Sequence, residues 1–110
     1  MIKLNVQEKY YTLLKSGQKT IELRLFDEKR KAIKIGDYIE FSNNSDLSDC
    51  FTAQVVNLHR AASFALLFEK LDCHKAGFSS KEELIAVMKE FYSLERQKEF
   101  GVVGIEIKLI

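Results

Sequence analysis

The sequence predicts an α+β domain: a small mixed or antiparallel β-barrel of about five strands, flanked by about three helices. Three observations predict it. Residues 20–25 and 102–109 alternate apolar and polar side chains, the mark of strands with one buried face. Several strand-like runs follow one another across short turns, which favours antiparallel pairing. So many strands in a chain of 110 residues fit best as a sheet curled on itself. Proline is absent, and no repeat, low-complexity tract or linker divides the chain, so residues 1–110 are expected to form a single domain.

Met1 to Asn5 begins as a short strand. A helix follows over about residues 7–16, with Tyr10, Leu13 and Leu14 at helical spacing, and Gly17 stands where a left-handed C-terminal cap is expected. In the next strand Ile21, Leu23 and Leu25 share one face, and Thr20, Glu22 and Arg24 the other. Leu23 is expected inside the barrel and Glu22 toward the helices, so that Glu22→Gln would leave the fold largely intact. Asp27 to Lys31 is wholly charged and reads as a solvated loop. Gly36-Asp37 turns into a strand at Tyr38–Phe41, and Asn43-Asn44-Ser45-Asp46 carries turn chemistry before a returning strand over 50–58.

Ser63 to Leu71 reads as an apolar helix. Ser80-Lys81-Glu82-Glu83 has the form of a capping box, the hydroxyl of one end and the carboxylate of the other satisfying opposite backbone amides. The helix it starts shows a stripe of Leu84, Ile85, Val87, Met88, Phe91 and Tyr92. Val102 to Leu109 closes the order β-α-β-β-β-α-α-β.

Composition excludes several classes. With 46% hydrophobic and 30% charged residues and twelve aromatics, the chain is neither disordered nor fibrous. No apolar run approaches the ~20 residues of a membrane span, and the first residues do not form a signal peptide, so no membrane partner is expected. Cys50 and Cys73 lack partner spacing and are expected as free thiols of a cytoplasmic protein. The net charge is only +1, which argues against nonspecific nucleic-acid binding through many phosphates. It is uneven, however: residues 1–41 hold nine Lys/Arg against six Asp/Glu, and residues 42–110 hold eight against ten. An anion is therefore expected on the first part of the chain.

Metal and nucleophile signals are weak. Cys50, His59, Cys73 and His74 show no ligand spacing, and no glycine-rich phosphate loop or G-x-S-x-G elbow is present. No metal and no cofactor are expected. The informative stretch is Gly17-Gln18-Lys19-Thr20-Ile21-Glu22-Leu23-Arg24, which gathers two cations, a carboxylate and a hydroxyl at one end of a sheet. The bland alternative is an exposed strand face with solvated charges.

The spacing G-x-K-T-x-E-x-R at Gly17, Lys19, Thr20, Glu22 and Arg24 resembles the signature of the ASCH domain family, a branch of the PUA-like superfamily. The resemblance continues through Gly36-Asp37, Gly77-Phe78-Ser79-Ser80 and the glycine-led last strand, and so covers nearly the whole chain. It implies a PUA-like barrel flanked by helices, with a cleft between them that takes RNA or a nucleotide- or nucleoside-like ligand. The ligand-binding residues would be Lys19, Thr20, Glu22, Arg24 and Tyr92, in a monomer. Phe78 and Tyr92 could stack on a base; the plainer reading makes Phe78 a staple at the helix start and Tyr92 a core residue with its hydroxyl at the rim.

The alternative is a small hydrolase of a modified nucleoside, similar to the branch that deacetylates N4-acetylcytidine, or of RNA. The catalytic lysine of that branch falls on Lys19 and its threonine on Glu22, while its glutamate has no counterpart in Cys73-His74-Lys75-Ala76. If the chain is an enzyme, Lys19 and Glu22 would be the catalytic pair, as oxyanion stabiliser and general base.

Overall fold

The computed structural model describes all 110 residues. Five strands form one sheet: β1 (Ile2–Val6), β2 (Ile21–Leu25), β3 (Tyr38–Asn43), β4 (Asp46–Ala61) and β5 (Val102–Leu109). Their order is β1-β3-β4-β5-β2. The sheet is mixed: β1 pairs with β3 in parallel, and all other pairs are antiparallel. It curls into a half-barrel whose two edge strands, β1 and β2, face each other across an open seam.

Five α-helices accompany it rather than about three: α1 (Glu8–Ser16), α2 (Glu28–Lys31), α3 (Phe64–Leu67), α4 (Lys81–Phe91) and α5 (Leu94–Phe100). Each departure from the expected pattern has a local cause. Asp27 does not belong to a loop; its carboxylate caps α2 by accepting from the Arg30 amide at 3.2 Å. The helix expected over 63–71 stops at Leu67 with Phe68 as its C-cap, and Asp72 starts a separate 3-10 turn at Cys73–Ala76 by accepting from the His74 amide. In the expected capping box, the Ser80 hydroxyl does accept from the Glu83 amide at 3.1 Å, but the Glu83 carboxylate accepts from the Ser79 hydroxyl instead. Gly17 ends α1 in the left-handed region as expected, at φ +86°.

Two apolar cores lie on the two faces of the sheet. Leu4, Val6, Ile39, Phe41, Val55, Val103 and Ile105 fill the concave face, which Tyr11 and Leu14 of α1 close. Ile21, Leu23, Leu25 and Val102 form the convex core with Phe64, Leu67, Phe78, Leu84 and Met88 of the helical layer. This inverts the expected facing of β2. Leu23 packs against the helices, and Glu22, directly opposite Ile105 in the register, faces the concave side. Strand parity separates the two faces of β2; only long-range packing decides which of them the helices cover. Cys50 is exposed and Cys73 partly buried, and both are free. No helix is long and apolar enough to cross a membrane.

Candidate functional site

The stretch from Gly17 to Arg24 leaves α1 and enters edge strand β2, which places its charged residues on the open seam. Lys19 and Glu22 are not solvated: each is only 4% exposed. The Lys19 Nζ lies 3.0 Å from Glu22 Oε1. On the other carboxylate oxygen, Oε2, Arg24 donates from Nε at 2.8 Å and approaches with Nη2 at 2.7 Å. Arg24 Nη2 also donates across the seam to the Asn5 carbonyl at 2.7 Å. The exposed strand face with solvated charges is therefore not what forms; the three side chains make one buried cluster with a net charge of +1.

Burial alone would push the Glu22 carboxyl up. The charges of Lys19 and Arg24 and their hydrogen bonds outweigh it and hold the carboxyl below the usual carboxylate range. Burial works against the Arg24 cation too, and the Glu22 charge more than offsets it, raising Arg24 further. The Tyr10 hydroxyl is raised by burial and by Glu83, Glu90 and Glu22, so it stays protonated at neutral pH.

The cluster forms the base of a cleft of about 190 Å³ at the seam. Its walls are Asn5, Val6, Gln7 and Tyr10 from the β1–α1 corner, Leu23 and Arg24 from β2, Asn44 from the β3–β4 turn, and Phe78, Met88, Phe91 and Tyr92 from the helical layer. Several supports shape it. The Lys19 ammonium sits 4.9 Å from the centre of the Tyr10 ring, and that ring pairs with Phe78 at 5.6 Å. The Asn44 amide donates to the Val6 carbonyl and fixes the turn at the rim. Tyr92 ends α4, stacks on Phe64 at 6.1 Å, and has its carbonyl held by the Gln97 side chain. Gln97 itself is buried and also accepts from the Phe64 amide, so α5 locks the far wall in place.

Lys19, Glu22, Arg24 and Tyr92 thus meet in one cleft. Thr20 does not line it; its backbone bonds Lys75 on one side and Ile107 on the other. Sequence reasoning missed Asn5, Gln7, Tyr10, Asn44, Met88 and Phe91. The amide side chains of Asn5 and Gln7 come from the β1–α1 corner and that of Asn44 from the β3–β4 turn, and no linear spacing joins them to the signature stretch. Met88 and Phe91 were legible only as members of an apolar stripe. Asp72, Cys73 and His74 cluster elsewhere on the surface, where Asp72 accepts from both the His74 amide and its ring.

The ASCH domain profile matches residues 4–110. Among solved structures, the crystal structure of hypothetical protein PH0355 is 39% identical with a TM-score of 0.85, covering 98% of this chain and 97% of that one. The solution structure of protein PF0455 from Pyrococcus furiosus is 36% identical with a TM-score of 0.77, covering 99% of this chain and 96% of that one. An ASCH crystal structure from Zymomonas mobilis shares the fold at a TM-score of 0.69 and 10% identity, covering 96% of this chain and 65% of that one. Comparison with curated proteins gives no match. With the profile spanning all but its first three residues, this chain belongs to the ASCH domain family, a family generally linked to RNA binding.

Proposed function

We propose that the cleft binds RNA or a nucleotide-like ligand, taking one base or nucleoside at a time. The observation that carries this is the buried Lys19–Glu22–Arg24 cluster, net positive, under aromatic walls and a rim of unpaired amides. The volume suits one ring system, since a cavity of about 150 Å³ holds benzene. The Tyr10 and Tyr92 rings offer apolar surface for a base, an interaction worth about 1–3 kcal/mol. Lys19 and Arg24 supply donors to a base acceptor or phosphate, and Glu22 keeps their side chains aimed. The side chains of Asn5, Gln7 and Asn44 are exposed at the rim and hydrogen-bond no other residue of the chain, so both groups of each amide are open to base edges.

Hydrolysis with Glu22 as general base is the weaker reading. Both carboxylate oxygens are already taken by cations, and a base whose proton affinity is pulled down in this way is poorly matched to neutral pH.

Calorimetric titration with cytidine, acetylcytidine and short RNA oligonucleotides, beside product detection, tests the proposal. Lys19→Ala and Arg24→Ala should each weaken binding by about 1.5–3 kcal/mol, roughly 10–150-fold. Tyr92→Leu, which leaves the ion cluster alone, should also weaken it. Turnover by the wild type that Glu22→Gln abolishes would replace binding by catalysis. Absence of binding by all these ligands would overturn the reading.

A further inference from the structure

The cleft ends at Arg24, but the concave face carries a second arginine in the same row of the sheet. Arg24 of β2 stands opposite Val103 of β5, and Val103 stands opposite Arg60 of β4. With strands about 4.8 Å apart, the two arginine backbones lie about 10 Å from each other across one valine. Arg60 owes its place to an irregularity in β4. Val55 pairs with Ile107 and Asn57 with Glu106, so Val56 is an extra residue that shifts the parity of the strand. Before it, Ala53 and Val55 face the concave core; after it, Leu58 and Arg60 take that facing.

Arg60 has an aromatic support and no acidic partner within the chain. Its guanidinium carbon lies 3.8 Å from the centre of the Phe26 ring, so the head group rests directly on the aromatic face. It makes no ion pair and no hydrogen bond within the chain, whereas Arg24 is tied to Glu22 and Arg30 to Asp27. Phe26 is held in turn by its amide, which donates to the Gly101 carbonyl at 3.0 Å. The Lys31 ammonium lies 5.9 Å from the same ring, so two cations attend it. Beside Arg60 is a shallow hollow of about 250 Å³ with Phe26, Phe100 and Gly101 in its walls.

We propose that Arg60 on its Phe26 platform is a second anion-binding position, which takes the phosphate of a neighbouring nucleotide when the base of a single-stranded nucleic acid lies in the cleft. The proposal rests on the reading of the cleft as a nucleotide site and extends it from one nucleotide to a strand. A guanidinium held on an aromatic face has lost its side-chain freedom before binding, and its planar fork suits a phosphate. Arg24 and Arg60 stand in one row at this end of the sheet, on either side of the buried Val103, so a strand that leaves the cleft at Arg24 comes within reach of the second cation.

The experiment compares cytidine, a dinucleotide and a trinucleotide on the full chain by calorimetry at several salt concentrations. Wild type should bind the oligonucleotides more tightly than cytidine. Arg60→Ala should lose about tenfold or more on the oligonucleotides and leave cytidine unchanged. Its salt slope should fall by about 0.7, the weight of one phosphate contact on a single strand. Arg60→Lys should keep the slope while recovering only part of the affinity, because the charge remains and the fork does not. Cytidine binding with no gain from added nucleotides would overturn the second position and leave the cleft reading standing. Equal loss of cytidine and oligonucleotide affinity in Arg60→Ala would also overturn it. Failure of the wild type to bind any of the three would overturn both.

Discussion

With Lys19 on one oxygen of Glu22 and Arg24 on the other, Glu22→Gln does more than remove a charge from a surface. It leaves two buried cations sharing one neutral amide. Breaking a buried ion pair from one side costs about 3–5 kcal/mol, and the acceptor that glutamine keeps should hold the loss to the lower part of that range. The pH dependence follows from the lowered Glu22 carboxyl. A carboxylate whose folded pKa lies below its unfolded value of about 4.3 contributes its full stabilisation above that value and loses it as the pH falls through the folded one. Urea midpoints of wild type and Glu22→Gln should therefore differ at pH 7 and converge in acid; a gap that persists unchanged at pH values well below 4 would contradict the pairing. The motif itself was legible, since alternation alone puts Glu22 and Arg24 on one face. Lys19 was expected beside them at the end of the sheet, but its direct pairing with Glu22 was not legible, because Lys19 precedes the strand and reaches Glu22 through the turn from α1.

At the scale of elements, the strands and the two longest helices were written in apolar periodicity and caps, while of the shorter helices only α3 was, as part of an overlong helix over 63–71. Leu94 to Phe100 has apolar residues only at its two ends, so α5 shows no stripe; the Ser93 cap and the buried Gln97 hold it. The turn before α4 shows how such a detail bears on the site. Gly77 follows the 3-10 turn at φ +90°, and a Cβ there would meet Leu13 Cδ1 at 3.2 Å and Lys19 Cδ at 3.3 Å. Gly77→Ala should thus strain the backbone and press on the Lys19 stem at once. We expect a stability loss of more than about 1 kcal/mol and a weakened ligand affinity that persists where the variant is fully folded. Melting curves and titration at low temperature separate the two effects. Loss of stability with unaltered affinity would show that Gly77 serves only the turn.

For the molecule as a whole, the amino-acid pattern indicated a curled sheet but not where it stays open. Closure depends on whether the edge strands pair, and β1 instead takes a parallel place beside β3 while β2 ends the other side of the sheet. Across the seam between them, the bond from Arg24 Nη2 to the Asn5 carbonyl is the one hydrogen bond joining β1 to β2. The cleft proposed to take the ligand occupies that same seam, so one side chain both steadies the opening and lines the space within it. Arg24→Ala should consequently loosen the edges before the centre. Amide hydrogen exchange in the variant should quicken in β1 and β2, while β5, paired on both sides from Val102 to Glu106, keeps its protection. An increase spread evenly over all five strands would mean that Arg24 contributes only to global stability, through Glu22. A ligand that bridges the seam should act in the opposite sense on the wild type, slowing exchange in β1 and β2 together. Protection confined to β2 would place the ligand on one wall alone and detach the cleft from the opening of the barrel.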